Sequence, residues 1–181
     1  MRITTPLTAT AVSALLAALL ATQAIPGLAA TPTASATLLA RSTLLGVQGA
    51  MRDARLANKI SVDAATCVQS LQPVALVPVF ETAVRDNWGA ADIDAIEAFL
   101  ATPAGRKYAE RSAAQARLDA GGTLTAPMAE YTEEELAALE RFRKTPAGTQ
   151  LVSHSEFANP KSRQAIQARL LELLTGCRAV P

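Results

Sequence analysis

The chain has 181 residues, with 17 Lys+Arg against 16 Asp+Glu, and its formal charge of +1 supplies no long-range field to gather nucleic acid or an anionic membrane surface. A length of this order suits one domain with a core of its own. A single histidine and two cysteines far apart argue against a structural zinc site.

The first 30 residues read as a secretory leader. Arg2 is the only charged side chain before Arg41, an apolar and small-residue run covers 9–20, and Pro26 precedes the small residues of "GLAA". A positive end, a short apolar core and a small-residue cleavage site define an export signal. Cleavage is expected after Ala30, with Ala29 as the neighbouring alternative. The competing reading is a retained membrane anchor, but Thr, Ser and Gln interrupt the stretch and no basic stop-transfer flank follows. No Cys stands at the cut, so no lipid anchor is expected. Loss of Arg2 leaves 16 basic against 16 acidic residues, a formally neutral mature chain of 151 residues at 31–181.

Beyond the leader, apolar residues recur at helical spacing. Ala40, Leu44, Val47, Met51 and Ala54 step by three and four, the stripe of an amphipathic helix. Val77, Phe80, Val84 and Trp88 repeat it, as do Ile166, Leu170, Leu173 and Cys177. Pro73 and Pro78 are expected to break or kink the segment leading into the second stripe. Gly, Pro and Asn gather near 58–61, 120–127 and 159–160, which read as loops. No stretch alternates apolar and polar residues as a half-buried strand does.

One motif is written twice. A shift of 43 residues lays "IDAIEAFLATPAGRKY" (93–108) over "LAALERFRKTPAGTQL" (136–151) without a gap, and seven of the sixteen positions are identical. Trp88 falls over Tyr131 just upstream, so internal repeats are read at 88–110 and 131–153. The spelling has a local cause. In "YTEEEL", Thr132 reads as an N-cap with Glu135 three residues on, a capping box with acids in the first turn. The helix must stop at Thr145-Pro146, because proline disfavours the α conformation in the residue before it. That proline suits the first position of a new helix, and Thr145 is free to cap it with its hydroxyl. Thr102 and Pro103 take the same roles in the first copy. Gly105 and Gly148 then sit in the first turn of the new helix, where the lack of a side chain lets another backbone come close. Phe-x-x-Thr-Pro-Ala-Gly is therefore a helix corner.

The stretch "YTEEELAALERFRKTPAGTQLV" resembles the hallmark of a family of small exported bacterial proteins known only as a domain of unknown function. Its pattern is [FY]-T-E-E-E-L followed by F-Y-x-[ST]-P-x-G. Thr132 to Leu136, Phe142, Thr145, Pro146 and Gly148 are the matching positions, and the first copy follows more loosely over 88–110. Arg143 departs from the pattern, which has an aromatic residue there. The resemblance implies an all-helical periplasmic protein without an assigned activity.

Catalytic signatures are absent from the spelling. His154 lies in "SHSEF", but neighbours in sequence point in different directions on a helix and cannot form a nucleophile–base–orienter chain among themselves. No nucleophile elbow, phosphate loop or dinucleotide fingerprint occurs. Glu97 and Glu140 occupy equivalent repeat positions, so paired carboxylates for acid–base work or metal binding are one reading, and solvent-facing or arginine-bound glutamates the other. Trp88 and Tyr131 could line a pocket or staple the helices that follow them. The cluster Arg141, Arg143 and Lys144 faces Glu133, Glu134, Glu135 and Glu140 in sequence and reads as a solvated helix face. Cys67 and Cys177 lie on apolar helical faces of an exported chain and are expected to form a disulfide.

The sequence thus reads as an all-α, single-domain bundle of about six to eight helices by ordinary helix length. It contains a tandem corner built on Phe99, Thr102, Pro103 and Gly105, then on Phe142, Thr145, Pro146 and Gly148. No catalytic, cofactor-binding or metal-ligating residue is assigned, and no cofactor is expected. The expected role is an exported, non-catalytic binding or scaffold module of the periplasm. Its partner would be an envelope protein or an apolar small molecule, not nucleic acid, with no stable membrane anchor once the leader is gone. Alternatives are a carrier holding an apolar ligand between helices, and a periplasmic enzyme assembled from Glu97, Glu140 and Arg106.

Overall fold

Cap residues and amphipathic stripes together set the order of elements. In the computed structural model, which describes residues 31–124, 126–153 and 159–179, eight α-helices and one 3-10 turn carry the described residues, and no strand occurs among them. These are α1 (Ala34–Leu56), α2 (Val62–Ser70), the 3-10 turn (Pro73–Ala75), α3 (Val77–Asn87), α4 (Ala90–Leu100), α5 (Pro103–Asp119), α6 (Glu133–Arg143), α7 (Pro146–Ser153) and α8 (Pro160–Gly176). Thr31–Pro181 forms one compact unit, an all-α bundle. The leader read at 1–30, and His154, lie outside the described residues.

Helix starts follow side-chain chemistry. Thr33 accepts a hydrogen bond from the N–H of Ala36, Ser61 from Ala64 and Asn159 from Lys161, each satisfying a donor that the first turn leaves open. Pro73 opens the 3-10 turn and Pro78 lies in the first turn of α3, where a missing N–H costs nothing. Three helix ends, those of α1, α5 and α8, share one device. Asn58, Gly121 and Arg178 adopt positive φ, and the next N–H in each case reaches back to Ala54, Arg117 or Leu174, the hydrogen bond of a Schellman turn.

The core lies between α1, α3, α4 and the later helices. Leu39 and Leu44 of α1, Phe80 and Val84 of α3, Trp88 at its end, Ile96 and Phe99 of α4, Leu139 of α6, Leu151 of α7 and Ile166 of α8 are buried together. Each large apolar side chain so buried stabilises the fold by about 1.5–3 kcal/mol relative to exposure. Val47 and Met51, further along the α1 stripe, face a second, smaller cluster around Ala64, Val68, Cys177 and Ala179. Inside it a disulfide joins Cys67 of α2 to Cys177 at the end of α8, with Cα atoms 5.4 Å apart across 110 residues of chain. At its other end α8 is pinned by Asn87 of α3, which donates to the Ser162 hydroxyl at 3.0 Å and accepts from the Asn159 N–H at 3.2 Å.

Candidate functional site

The two Thr-Pro-Ala-Gly stretches take the same local geometry. Thr102 Oγ1 accepts from the Gly105 N–H at 3.0 Å and donates to the Phe99 carbonyl at 2.7 Å. Thr145 Oγ1 accepts from Gly148 at 3.0 Å and donates to the Phe142 carbonyl at 2.7 Å. Each threonine thus ends one helix and starts the next, and Thr102 is extended at φ −76 and ψ 162. A Cβ on Gly105 would lie 2.0 Å from the Phe99 carbonyl oxygen, and one on Gly148 2.0 Å from that of Phe142. The close backbone that each glycine admits is the end of its own preceding helix.

The pairs then exchange partners. α4 packs on α7, and α5 on α6. Gln150 of α7 donates to Asp92 of α4 at 2.7 Å, while Lys107 of α5 binds Glu135 of α6 at 2.5 Å. Adding 43 to Asp92 gives Glu135, and adding it to Lys107 gives Gln150. One contact maps onto the other with partners reversed, as across an isologous interface. Phe99 is buried; Phe142 is half-buried and packs against the same core.

The glutamates at equivalent positions do different things. Both oxygens of Glu97 accept from the start of α1, at 2.7 Å from the Ala34 N–H and 2.9 Å from that of Ser35. A carboxylate is well placed there, on open N–H groups and the positive end of a helix dipole. Glu140 is exposed and pairs with Arg143 at 3.4 Å. Arg106 donates to the carbonyl of Ala101 at the corner. These residues therefore carry separate structural contacts. Among the described residues no three His, Cys, Asp or Glu side chains gather where a metal could be held.

A different set of residues lines one of several clefts among the described residues. It holds about 310 Å³ between α1, α5 and the segment that leads into α6, with Arg41, Leu45, Lys107, Arg111, Arg117 and Met128 among its walls. Two of its cations are already committed. Lys107 also donates to the Glu130 carbonyl at 2.8 Å, and Arg111 to that of Ala129 at 2.8 Å. The Tyr131 ring lies 5.2 Å from the Arg111 guanidinium and 5.8 Å from the Lys107 ammonium, within cation–π range. Tyr131 therefore faces α5, and Leu136, four residues into α6, is 49% exposed. Burial pushes the Tyr131 hydroxyl above its ordinary pKa, against the pull of Arg111. The hydrogen bond from Lys107, followed by that from the Thr132 N–H, holds Glu135 below the usual carboxylate range.

Arg41 and Arg117 differ from these two. Both line the cleft and an adjoining one of about 270 Å³ against Leu71 and Pro73, and neither has an ion pair or side-chain hydrogen bond among the described residues. The sequence reading passed over them. Lys107 and Arg111 stand one helical turn apart and give a readable signal of a basic face on α5; Arg41 joins them only through tertiary packing. Comparison with known proteins adds no relative: no family model matches the chain, and neither a curated protein nor a solved structure is significantly similar to it.

Proposed function

We propose that this chain is an exported, non-catalytic binding module of the cell envelope. It is made with a leader at 1–30, and its helical domain at 31–181 is built on a duplicated helix pair. The resemblance of its second corner to exported domains of unknown function favours the same reading. Export is supported by the leader's spelling and by the Cys67–Cys177 bridge, a bond that persists in oxidising compartments such as the periplasm. No helix among the described residues is long and apolar enough to cross a membrane.

The observation that carries the binding role is the cleft beside α1 and α5. Its size is at the lower end for small-molecule sites, its mouth segment is laced to α5 by Lys107 and Arg111, and the guanidiniums of Arg41 and Arg117 stand in its walls without an ion pair or side-chain hydrogen bond among the described residues. A preformed, charged cleft is suited to holding a ligand without reorganisation. The test is to express the full chain in a bacterial host and examine the periplasmic protein by native mass spectrometry and hydrogen exchange. A chain starting near Thr31, carrying a small molecule that slows exchange at 120–132, is expected. A cytoplasmic chain retaining Met1 would overturn export, and a bare chain with unprotected 120–132 would overturn the binding role.

A further inference from the structure

We propose that the cleft binds a single-chain anionic amphiphile, a carboxylate or phosphate monoester on an alkyl chain, with Arg41 and Arg117 on the head and Leu45, Leu124 and Met128 against the chain. The inference rests on the reading of this cleft as a binding site.

The charge argument comes first. Arg41 of α1 and Arg117 of α5 enter the same two clefts from different helices. A guanidinium presents a planar fork of donors that matches the paired oxygens of a carboxylate or phosphate. Lys107 and Arg111 are tied to backbone carbonyls and to Glu135, so they raise the local potential while leaving the head to the other two. Among the described residues Glu110 is the one acid in this wall. Arg41, Lys107, Arg111 and Arg117 outnumber it, and that excess of positive charge disfavours a cationic head.

The remaining wall selects the rest of the ligand. Leu45, Ala113, Leu124, Pro127 and Met128 present alkyl surface, and methionine adapts to flexible apolar ligands. No aromatic side chain stands in this wall among the described residues, and Tyr131 nearby has Lys107 and Arg111 against its ring, so a nucleobase or sugar finds no platform for stacking. A volume near 310 Å³ holds a head and the first part of one chain, not two.

Isothermal titration of the disulfide-bonded mature protein tests this, using alkyl carboxylates and alkyl phosphates of increasing length below their micellar concentrations. Alkyl maltosides and alkyl trimethylammonium salts of matched length serve as controls, with acetate and inorganic phosphate as heads alone. Affinity for the anions should rise about fourfold per methylene until the cleft is filled, then level off. Arg41→Gln with Arg117→Gln should weaken anion binding by about tenfold or more. The same pair should leave the maltosides and the far-ultraviolet circular dichroism unchanged. A preference for carboxylates points to free fatty acids as the source, and one for phosphates to lysophosphatidate-like lipids. Equal binding of neutral and anionic heads would overturn the inference while leaving the cleft a binding site. Inorganic phosphate binding as tightly as its alkyl ester would overturn the chain assignment. No amphiphile bound, with 120–132 still protected by another co-purified molecule, would overturn this inference alone; no binding and no protection would sink the binding role as well.

Discussion

Phe99 and Phe142 stack ring on ring, with centroids 3.8 Å apart and planes 6° from parallel. They are the first letters of the two corner motifs, so the corners meet face to face at the residues that open them. The stack joins the reciprocal contacts Asp92–Gln150 and Glu135–Lys107. A double-mutant cycle with Phe99→Leu and Phe142→Leu should show a coupling of about 0.5–1.5 kcal/mol in urea denaturation, the worth of an aromatic pair beyond its buried area. Phe99→Leu alone should cost more than Phe142→Leu, because Phe99 is buried and Phe142 only partly so. Strictly additive single effects would mean that the rings touch without mutual stabilisation.

The corner glycines admit a second measurement. A Cβ at Gly148 would meet the Phe142 carbonyl oxygen and one at Gly105 the Phe99 carbonyl oxygen, both at 2.0 Å. Backbone cannot yield as a flexible side chain can, so the corner must open. Gly105→Ala and Gly148→Ala should each destabilise by about 1–3 kcal/mol or more, as overpacking does, despite alanine being the better helix former. Equal or greater stability in either variant would show that the corner tolerates the opening.

What the sequence disclosed divides by range. The capping box at Thr132 and Glu135 and the corners at Thr102 and Thr145 depend on residues within a turn of one another, so spelling was enough to locate them. The Cys67–Cys177 bridge spans 110 residues, yet a chain with two cysteines leaves one pairing. Long-range polar partners were not legible. Nothing in the neighbourhood of Glu97 announces that its carboxylate will hold the start of α1, 62 residues away at Ser35. Likewise the 43-residue shift equates α4 with α6 but does not say that α4 packs on α7. The cleft is the extreme case, because Arg41 and Arg117 become neighbours only through the packing of α1 on α5.

Glu135 ties a capping box to the Lys107 contact, and its titration should be visible in stability. Its carboxyl is held low chiefly by Lys107 and then by the Thr132 N–H. A group whose pKa is lower in the folded than in the unfolded state binds its proton more readily on unfolding. Its contribution is therefore complete above the ordinary carboxylate range and is lost as pH falls through the folded value, from about pH 5 downward. The stability of the wild-type protein should fall more steeply below that point than that of Glu135→Gln, with a constant gap between the two above about pH 6. Parallel curves across the acid range would dissociate Glu135 from the acid response. Added salt should narrow the gap, since an accessible ion pair is screened.

The disulfide gives the largest expected effect and one with a location. Closing a loop of 110 residues limits the unfolded chain, and the chain-entropy argument allows about 4.7 kcal/mol for a loop of roughly that size, less any cost in the native state. Cys67→Ser with Cys177→Ser should therefore lower the urea midpoint without a large change in fold. The loss should not be uniform in the native state, however. α2 is nine residues long and buries only Ala64, Ala65 and Val68. Apart from the bridge it is held by the Gln48 side chain, which donates to the Val68, Gln69 and Leu71 carbonyls at 3.2–3.3 Å, and by Gln69, which donates to the Gln48 carbonyl at 2.7 Å. Its amides at 62–70 should lose protection in hydrogen exchange before those of α4–α7, which are locked by the Phe99–Phe142 stack. A titration of the denatured, unreduced protein should find no free thiol. Equal loss of protection along the whole chain would assign the bridge's effect to the unfolded state alone, and two titratable thiols would remove the bridge itself.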